Sequence, residues 1–272
     1  MTTFLFWNLY RKPLQEIVAN LARLHEIDVL ILAECSIEPG TLLSTLNQPD
    51  APGYHYAPSP GFTKIEIFTR FPAEFIPITN KDKPRLTMRH LKLPGMTDIL
   101  LAVAHLSSKL HQRDSSQGYE GVVTAEHIRA MEQEIGHSRT ILVGDLNMNP
   151  FEDGMVAAKG FNGVMCRNVA SRGTMRGARS EYPFFYNPMW SLFGDASPGP
   201  PGTYYRNVSE QVGYFWNMFD QVLIRPDLLD RFDNADLKIL DSDGNISFLS
   251  NRGLPNKKIA SDHLPILFKL NL

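Results

Sequence analysis

The chain has 272 residues, of which 43% are hydrophobic, and its 27 basic and 29 acidic side chains give a formal net charge of -2. This length and composition allow a sizeable buried core, and no Ser/Gly-rich or charged linker divides the chain, so we expect a single domain over residues 1–272. Because the charge is nearly balanced, no overall basic field draws the whole surface onto a polyanion, and any nucleic-acid contact must come from a local patch.

The cysteine content and the first residues bear on the compartment. Cys35 and Cys166 are the only cysteines, which is too few for a disulfide framework and is typical of a reducing compartment. The short apolar run near Met1 has no basic leader before it and no small-residue cleavage pattern after it. No apolar run reaches the roughly 18 to 20 residues that span a bilayer. We therefore expect a cytoplasmic protein that does not bind membranes, and no obligate protein partner is evident.

The hydrophobic pattern predicts strands and helices along the first half of the chain. Apolar residues at helical spacing follow Pro13, and nearly continuous apolar runs before Glu34 and His105 are typical of buried strands. In chain order the predicted elements are a strand over 4–8, a helix over 13–25, a strand over 29–33, a loop over 47–60, strands over 64–70, 73–78 and 98–106, a helix over 118–136 and a strand over 140–147.

The second half of the chain is less regular. From residue 162 to residue 217 the periodicity is lost apart from short aromatic runs, and such a stretch inside a compact domain is usually either functional or mobile. Strands are predicted again over 219–224 and 264–272. Strands outnumber helices and do not alternate with them in strict βαβ order, so the sequence favours two sheets with helices outside them.

Polar residues stand at the ends of several apolar strands. Asn8 shares a strand face with Phe4 and Phe6, and Asp145 and Asn147 are two residues apart, so a strand directs both to one face. Unpaired buried polar groups cost on the order of 1–3 kcal/mol each. A metal ion, water or phosphate at the strand ends would supply the missing partners.

Each of these residues also has an ordinary interpretation when it is taken alone. Asp145 and Asn147 before Pro150 are typical of a turn, Asn8 of a strand terminus, and His105 of a satisfied core histidine. Four strands that end in polar residues, followed by Ser261-Asp262-His263, are harder to explain in that way.

Oxygen donors with one or two imidazoles suit a hard divalent cation, so Mg²⁺ is expected, with Mn²⁺ as a substitute. No closed zinc spacing is present. The set also fits phosphate-ester hydrolysis, and the absence of a nucleophile elbow and of a phosphate-binding Gly-rich loop disfavours acyl transfer and nucleoside-triphosphatase chemistry.

The order of these motifs resembles the endonuclease/exonuclease/phosphatase superfamily. The resemblance implies an α/β fold, a four-layer α/β/β/α sandwich with two mixed, largely antiparallel sheets and outer helices. It rests on these segments: Phe6-Trp7-Asn8-Leu9, Leu32-Ala33-Glu34, Ala104-His105-Leu106, Gly144-Asp145-Leu146-Asn147 with Pro150, Phe219-Asp220-Gln221-Val222 and Ser261-Asp262-His263-Leu264-Pro265.

By position in these motifs, the resemblance implies a metal site and a group that acts on water. Glu34 would bind the metal with the help of Asn8 and Asp262. Asp145 would orient or deprotonate the attacking water, and Asn147 would position that water or a phosphoryl oxygen.

The resemblance also implies roles for two histidines. His263 would contact the phosphate, and Asp220 would hold its ring and favour its charged form. His105 would donate to a phosphate oxygen or assist the leaving group. A histidine on this strand resembles the deoxyribonuclease, sphingomyelinase and phosphatase branches more than the abasic-site endonucleases, which usually carry a Tyr-x-x-Asn element there.

An arginine-rich segment offers a candidate for substrate binding. It contains Arg167, Arg172, Arg176 and Arg179, no acid, and glycines that allow close backbone approach. It is equally compatible with a solvated loop. The following aromatic residues could stack on bases, although core packing explains most of them.

Three function classes remain open from the sequence. A nuclease acting on DNA or RNA is favoured by the arginines and aromatic residues. A phosphatase or phosphodiesterase acting on a small or lipid-derived ester is the alternative, and the lack of an amphipathic membrane-binding segment argues against the lipid version. A binding protein without catalysis is disfavoured, because the polar set is complete.

Overall fold

The computed structural model describes residues 1–48, 53–59, 64–79, 83–108, 114–177, 180–209, 211 and 213–272. The strands are β1 Thr2–Asn8, β2 Val29–Ala33, β3 His55–Ala57, β4 Ile65–Thr69, β5 Leu86–Leu91, β6 Ile99–His105, β7 Thr140–Asp145, β8 Gly163–Val164, β9 Thr174–Arg176, β10 Glu181–Pro183, β11 Phe185–Tyr186, β12 Tyr204–Tyr205, β13 Trp216–Asn217, β14 Asp220–Ile224, β15 Lys238–Ile239 and β16 Ile266–Leu270.

The α-helices are α1 Gln15–Leu24, α2 Pro39–Leu46, α3 Asp114–Ile135, α4 Asp153–Val156 and α5 Arg167–Ala170. Short 3₁₀ helices span Ala73–Phe75, Pro188–Leu192, Pro226–Arg231 and Asn234–Asp236. Within the described ranges, none of the helices has the length and apolar character to cross a membrane.

Most of the strands form two mixed six-stranded sheets. Sheet 1 has the order β15-β16-β1-β2-β4-β3 and sheet 2 the order β5-β6-β7-β14-β11-β8. Each sheet contains a central parallel pair, β1 with β2 and β6 with β7, and the strands beside each pair are antiparallel to it. The carboxyl ends of the parallel strands therefore lie at one edge of each sheet, where β14 and β16 begin.

Alternation of side chains across the strands produces three apolar layers. The layer between the sheets contains residues from both of them, including Phe4, Ile31, Leu101, Val143 and Phe268. The outer face of sheet 1 packs against α1 and α2. The outer face of sheet 2 packs against α3 through residues such as Leu100, Ile128 and Met131. This arrangement confirms the expected four-layer α/β/β/α sandwich.

The structure corrects parts of the predicted element order. The strand predicted over 73–78 is wrong, because Pro72 leads into the 3₁₀ helix Ala73–Phe75 instead. The strand β5 was not predicted, and its pattern is obscured by a buried Arg89, which is 2% exposed and donates to the carbonyl of Pro58 at 2.7 Å. The helix α2 was missed too, and the predicted loop over 47–60 contains β3.

One glycine is required where β6 and β7 approach each other. Gly144 has φ 154°, and a Cβ atom at this position would lie 1.8 Å from the carbonyl oxygen of Ala104. Neither backbone can move without disturbing a central parallel pair. Gly144 therefore fixes the backbone immediately before Asp145.

Candidate active site

The strand ends of the two sheets bring polar side chains into direct contact. The amide Nδ2 of Asn8, at the end of β1, donates to Asp145 Oδ2 at 3.0 Å, at the end of β7. Glu34, which follows β2, lies with Oε1 3.5 Å from Nε2 of His105, at the end of β6. Two contacts between the sheets thus join four of the residues that the sequence singled out.

The carboxylate of Asp145 is held from both sides. Its Oδ1 accepts the backbone N–H of Asn147 at 3.1 Å, while Oδ2 accepts from Asn8. Asn147 itself lies beyond β7 in the left-handed conformation with φ 51°, and its Nδ2 donates to the carbonyl of Leu106 at 3.1 Å. Asp145 is 2% exposed, so its position is set by these donors and not by solvent.

His263 and Asp220 form a buried pair beside Asp145. The Nδ1 of His263 donates to Asp220 Oδ2 at 2.8 Å, and Nε2 lies 3.9 Å from Asp145 Oδ2. Burial by itself lowers the pKa of His263, but the negative charges of Asp220, Asp145 and Asp262 outweigh burial and raise it. Burial raises the pKa of Asp220. His263 is therefore a cation with Nε2–H directed toward the site.

The second histidine of the site has the opposite electrostatic character. Burial is the largest effect on His105 and lowers its pKa, although the carboxylates of Asp145 and Glu34 act in the other direction. Its Nε2 lies 3.8 Å from Asp145 Oδ2. The site thus contains one charged imidazole and one imidazole that burial keeps neutral.

Tyr204 and Thr203 support the His263–Asp220 pair, a role that sequence reasoning missed. The ring of Tyr204 lies 4.7 Å from the ring of His263, centroid to centroid, and the Thr203 hydroxyl accepts the backbone N–H of Asp220 at 3.1 Å. The backbone N–H of Leu264 donates to the Thr203 carbonyl at 2.8 Å. No periodic signal marks these residues, because they belong to the irregular segment after Pro201.

The donor set fits a divalent cation. Among the described residues, Asp262 Oδ1 and Asp220 Oδ1 are buried oxygen atoms without a hydrogen-bond partner. Ligand atoms of Asp145, Asp220 and His263 also lie within 4.8 Å of one another. Glu34, Asp262 and Asn8 offer further carboxylate and amide oxygens at the cleft, the type of donor that a hard cation prefers.

The polar residues of the site line an open cleft with a volume of about 1290 Å³. We call this group the floor of the cleft: Asn8, Glu34, His105, Asp145, Asn147, Asp262 and His263. Cationic side chains on its walls are Arg11, Lys64, Arg85 and Arg206. Aromatic side chains on its walls are Tyr10, Phe151, Tyr204, Tyr214 and Phe219. The ring of Tyr214 packs edge-on against Phe151 at 5.2 Å.

The described arginines of the predicted loop are not among the residues that line this cleft. Arg167 begins α5 and donates to the carbonyls of Leu229 at 3.0 Å and Phe232 at 2.6 Å, and its role in substrate binding stays a prediction. Arg172 and Arg176 are not cleft residues either, and Arg176 lies 3.4 Å from Glu181 on the surface. Arg179 lies outside the described residues. The described cations of the cleft, Arg11, Lys64, Arg85 and Arg206, come from other parts of the chain.

Comparison with known proteins identifies the family. The model of the Endonuclease/Exonuclease/phosphatase family matches residues 5–263. No curated protein matches the sequence. The endonuclease domain of TRAS1, a telomere-specific non-LTR retrotransposon, is 15% identical with a TM-score of 0.55, and the match covers 100% of this chain and 99% of that domain.

Two further solved structures have the same fold. The 3′ phosphatase NExo from Neisseria, bound to a product DNA hairpin, is 14% identical with a TM-score of 0.57, and both chains are covered over 100%. An AP endonuclease from Archaeoglobus fulgidus is 15% identical with a TM-score of 0.55 and full coverage of both chains, 100% each. At these identities the structures establish the fold, and the family model establishes the class of enzyme. The chain therefore belongs to the Endonuclease/Exonuclease/phosphatase family of divalent-metal-dependent phosphoesterases.

Proposed function

We propose that the protein is a Mg²⁺-dependent phosphodiester hydrolase that acts on DNA or RNA. The observation that carries this proposal is the cleft, in which a floor of carboxylates and histidines is bordered by cationic and aromatic side chains. Cations pair with phosphates, and aromatic rings stack on bases. Structural neighbours that are named as an endonuclease and as a phosphatase bound to product DNA support the same substrate class.

Glu34, Asp262 and Asn8 are the proposed ligands of Mg²⁺, and Mn²⁺ would bind the same oxygen donors. Asn8 Oδ1 accepts the backbone N–H of Tyr10 at 3.0 Å and keeps a second lone pair for a cation. When bound, the cation supplies positive charge that stabilises phosphoryl oxygens and lowers the pKa of bound water. The carboxylates of Glu34 and Asp262 hold that charge at the floor of the cleft.

Asp145 and Asn147 are proposed to act on the attacking water. Asp145 accepts hydrogen bonds at both carboxylate oxygens and therefore keeps a fixed orientation, which suits a group that must receive a proton along one direction. Asn147 is locked by its own bonds to Asp145 and Leu106, so it can position the water or a phosphoryl oxygen without moving.

The two histidines are proposed to stabilise charge on the phosphate and on the leaving oxygen. His263, held as a cation by Asp220, donates its Nε2–H to a phosphoryl oxygen, where negative charge increases in the transition state. His105, kept neutral by burial, donates to another phosphate oxygen or assists the leaving group. Both side chains are about 9% exposed, which strengthens these hydrogen bonds by excluding water.

A small phosphate ester is the second candidate substrate. Among the described side chains of the cleft, five are cationic and five are acidic: Arg11, Lys64, Arg85, Arg206 and the charged His263 against Glu34, Asp145, Glu152, Asp153 and Asp262. Such a balance attracts a long polyanion only weakly until a cation neutralises part of the floor. A compact phosphate ester needs contacts only with the residues of the floor and not with the cationic side chains of the walls.

Turnover of four substrates, with excess chelator and with added Mg²⁺, tests the proposal. The substrates are plasmid DNA, RNA, bis(4-nitrophenyl) phosphate and 4-nitrophenyl phosphate. We expect cleavage of nucleic acid and of the chromogenic diester only with the cation. Hydrolysis of the monoester alone would establish the second candidate, and nucleic-acid cleavage in excess chelator would contradict the proposed chemistry.

Replacing Glu34 by Gln tests the metal site directly. We expect the Mg²⁺ concentration for half-maximal hydrolysis of the chromogenic diester to rise by at least about 10-fold, because a charged ligand becomes neutral. A Mg²⁺ titration of both proteins measures the change. Glu16→Gln, on the exposed surface of α1, is the matched control. An unchanged Mg²⁺ requirement in a folded Glu34 variant would remove Glu34 from the ligand set.

A further inference from the structure

Two cationic residues occupy equivalent positions in the two sheets. Lys64 directly precedes β4, and its carbonyl accepts the backbone N–H of Glu34 at 3.2 Å. Arg85 directly precedes β5, and its carbonyl accepts the backbone N–H of His105 at 2.9 Å. The strand registers agree, because Ile65 pairs with Ala33 as Leu86 pairs with Ala104. Lys64 therefore lies beside Glu34 in sheet 1, and Arg85 lies beside His105 in sheet 2.

The backbone at these positions is strained. Lys64 has φ 53° and Arg85 has φ 68°, in the left-handed region that side chains rarely adopt. Of the nine described non-glycine residues with positive φ, six line the cleft: Tyr10, Arg11, Glu34, Lys64, Arg85 and Asn147. Strain of this kind persists where surrounding structure enforces it, and it concentrates at functional sites. The two cations share this property with residues of the site.

The two cations lie toward the same side of the cleft. Glu34 and His105, their hydrogen-bonded neighbours, meet across the sheets at 3.5 Å. The strands β4 and β5 lie on the side of β2 and β6 away from β1 and β7. Arg89 of β5 reaches the carbonyl of Pro58, next to β3, so these edges of the sheets are also adjacent. His263 and Tyr204 approach the floor from the opposite side, where β14 and β16 begin.

We propose that Lys64 and Arg85 form a two-cation clamp for a phosphate next to the scissile phosphate of a nucleic-acid strand. This inference rests on the proposed function. Lys64 is exposed, and the side chain of Arg85 is 43% exposed. Arg85 NH1 donates to the His105 carbonyl at 3.3 Å, and Nε lies 3.8 Å from Glu120 Oε1, which leaves further N–H donors of the guanidinium for a phosphate.

Competition against the chromogenic diester tests the clamp without depending on nucleic-acid cleavage. The inhibitor is a phosphorothioate oligonucleotide, and its inhibition constant is measured over a range of salt concentrations. The variants are Lys64→Gln/Arg85→Gln and, as a control with the same change in charge, Arg172→Gln/Arg176→Gln. A third protein, Lys64→Arg/Arg85→Lys, keeps both charges. Melting temperatures establish that each variant is folded.

We expect the inhibition constant to rise about 10-fold in the clamp variant, and the slope of its logarithm against log salt to fall by about two, one for each cation. The control variant and the charge-keeping variant should stay within about two-fold of the wild type. Equal changes in the clamp and control variants, or an oligonucleotide that does not inhibit the wild type, would overturn the clamp. Direct cleavage of DNA and RNA by the wild type is scored separately, so the clamp and the proposed function fail by different results.

Discussion

Replacing Asp145 by Asn should lower the turnover number for the chromogenic diester by at least about 10²-fold, the usual scale for removing a positioned acid or base. The amide cannot receive a proton from water. It also cannot satisfy both neighbours, since Asn147 N and Asn8 Nδ2 both donate to the present carboxylate and an amide offers only one acceptor oxygen. The loss of the proton acceptor and the loss of a hydrogen bond that orients the side chain therefore both lower the turnover number.

Turnover at saturating Mg²⁺ and substrate measures this effect, and near-ultraviolet circular dichroism establishes that the variant is folded. Asp230→Asn, an exposed substitution outside the cleft, is the matched control and should retain the wild-type rate. A folded Asp145 variant within about 10-fold of the wild type would remove Asp145 from the proposed role.

Part of the candidate site was predictable from the sequence because Asn8, His105 and Asp145 end buried strands and Glu34 follows one. Glu34, His105 and Asp145 each follow an apolar run that is typical of a buried strand. A polar residue at the end of such a run is unusual unless it has a functional role. The cationic residues of the cleft do not follow apolar runs, so the sequence did not mark them as site residues. Lys64 and Arg85 stand before strands in a left-handed conformation, and neither hydrophobic periodicity nor composition marks that position. A cluster such as Arg167 to Arg179 attracts attention by composition alone, whereas the structure shows that Arg167 donates to the carbonyls of Leu229 and Phe232.

Replacing Arg225 by Met should lower the free energy of unfolding by about 3–5 kcal/mol, because it leaves a buried carboxylate without its partner. Arg225 is 1% exposed, and its Nε and NH2 donate to the two carboxylate oxygens of Glu132 at 2.8 and 3.1 Å. Its NH1 also donates to the carbonyls of Pro183 and Phe184, each at 3.0 Å. The guanidinium lies 3.8 Å over the ring of Phe185.

Urea unfolding of three variants measures this effect as a cycle: Arg225→Met, Glu132→Leu and the double variant. We expect the double variant to be more stable than either single variant, because two apolar side chains leave no uncompensated charge. The active-site rate of the folded Arg225 variant should stay close to the wild type, since Arg225 lies beyond the end of β14 that is remote from Asp220. A single variant that loses less than about 1 kcal/mol would contradict this account.

Buried charge also limited the prediction of the fold. Arg89 points into the interior from β5, and its presence in Leu86-Thr87-Met88-Arg89 conceals an otherwise alternating strand. In the 3₁₀ helix Ala73–Phe75 after Pro72, Ala73 packs against the layer between the sheets and Glu74 is exposed. In both cases tertiary contacts decide the local structure, and no neighbouring residue in the sequence reports them.

The site is closed by residues from the two ends of the chain. Ser261 Oγ donates to the Asn8 carbonyl at 2.6 Å, Trp7 Nε1 donates to the His263 carbonyl at 2.9 Å, and β1 is completed on one side by β16. Residues are added in chain order during synthesis, so Asn8, Glu34 and Asp145 are made before His263. The site therefore cannot assemble until the residues of β16 have been made and can pair with β1.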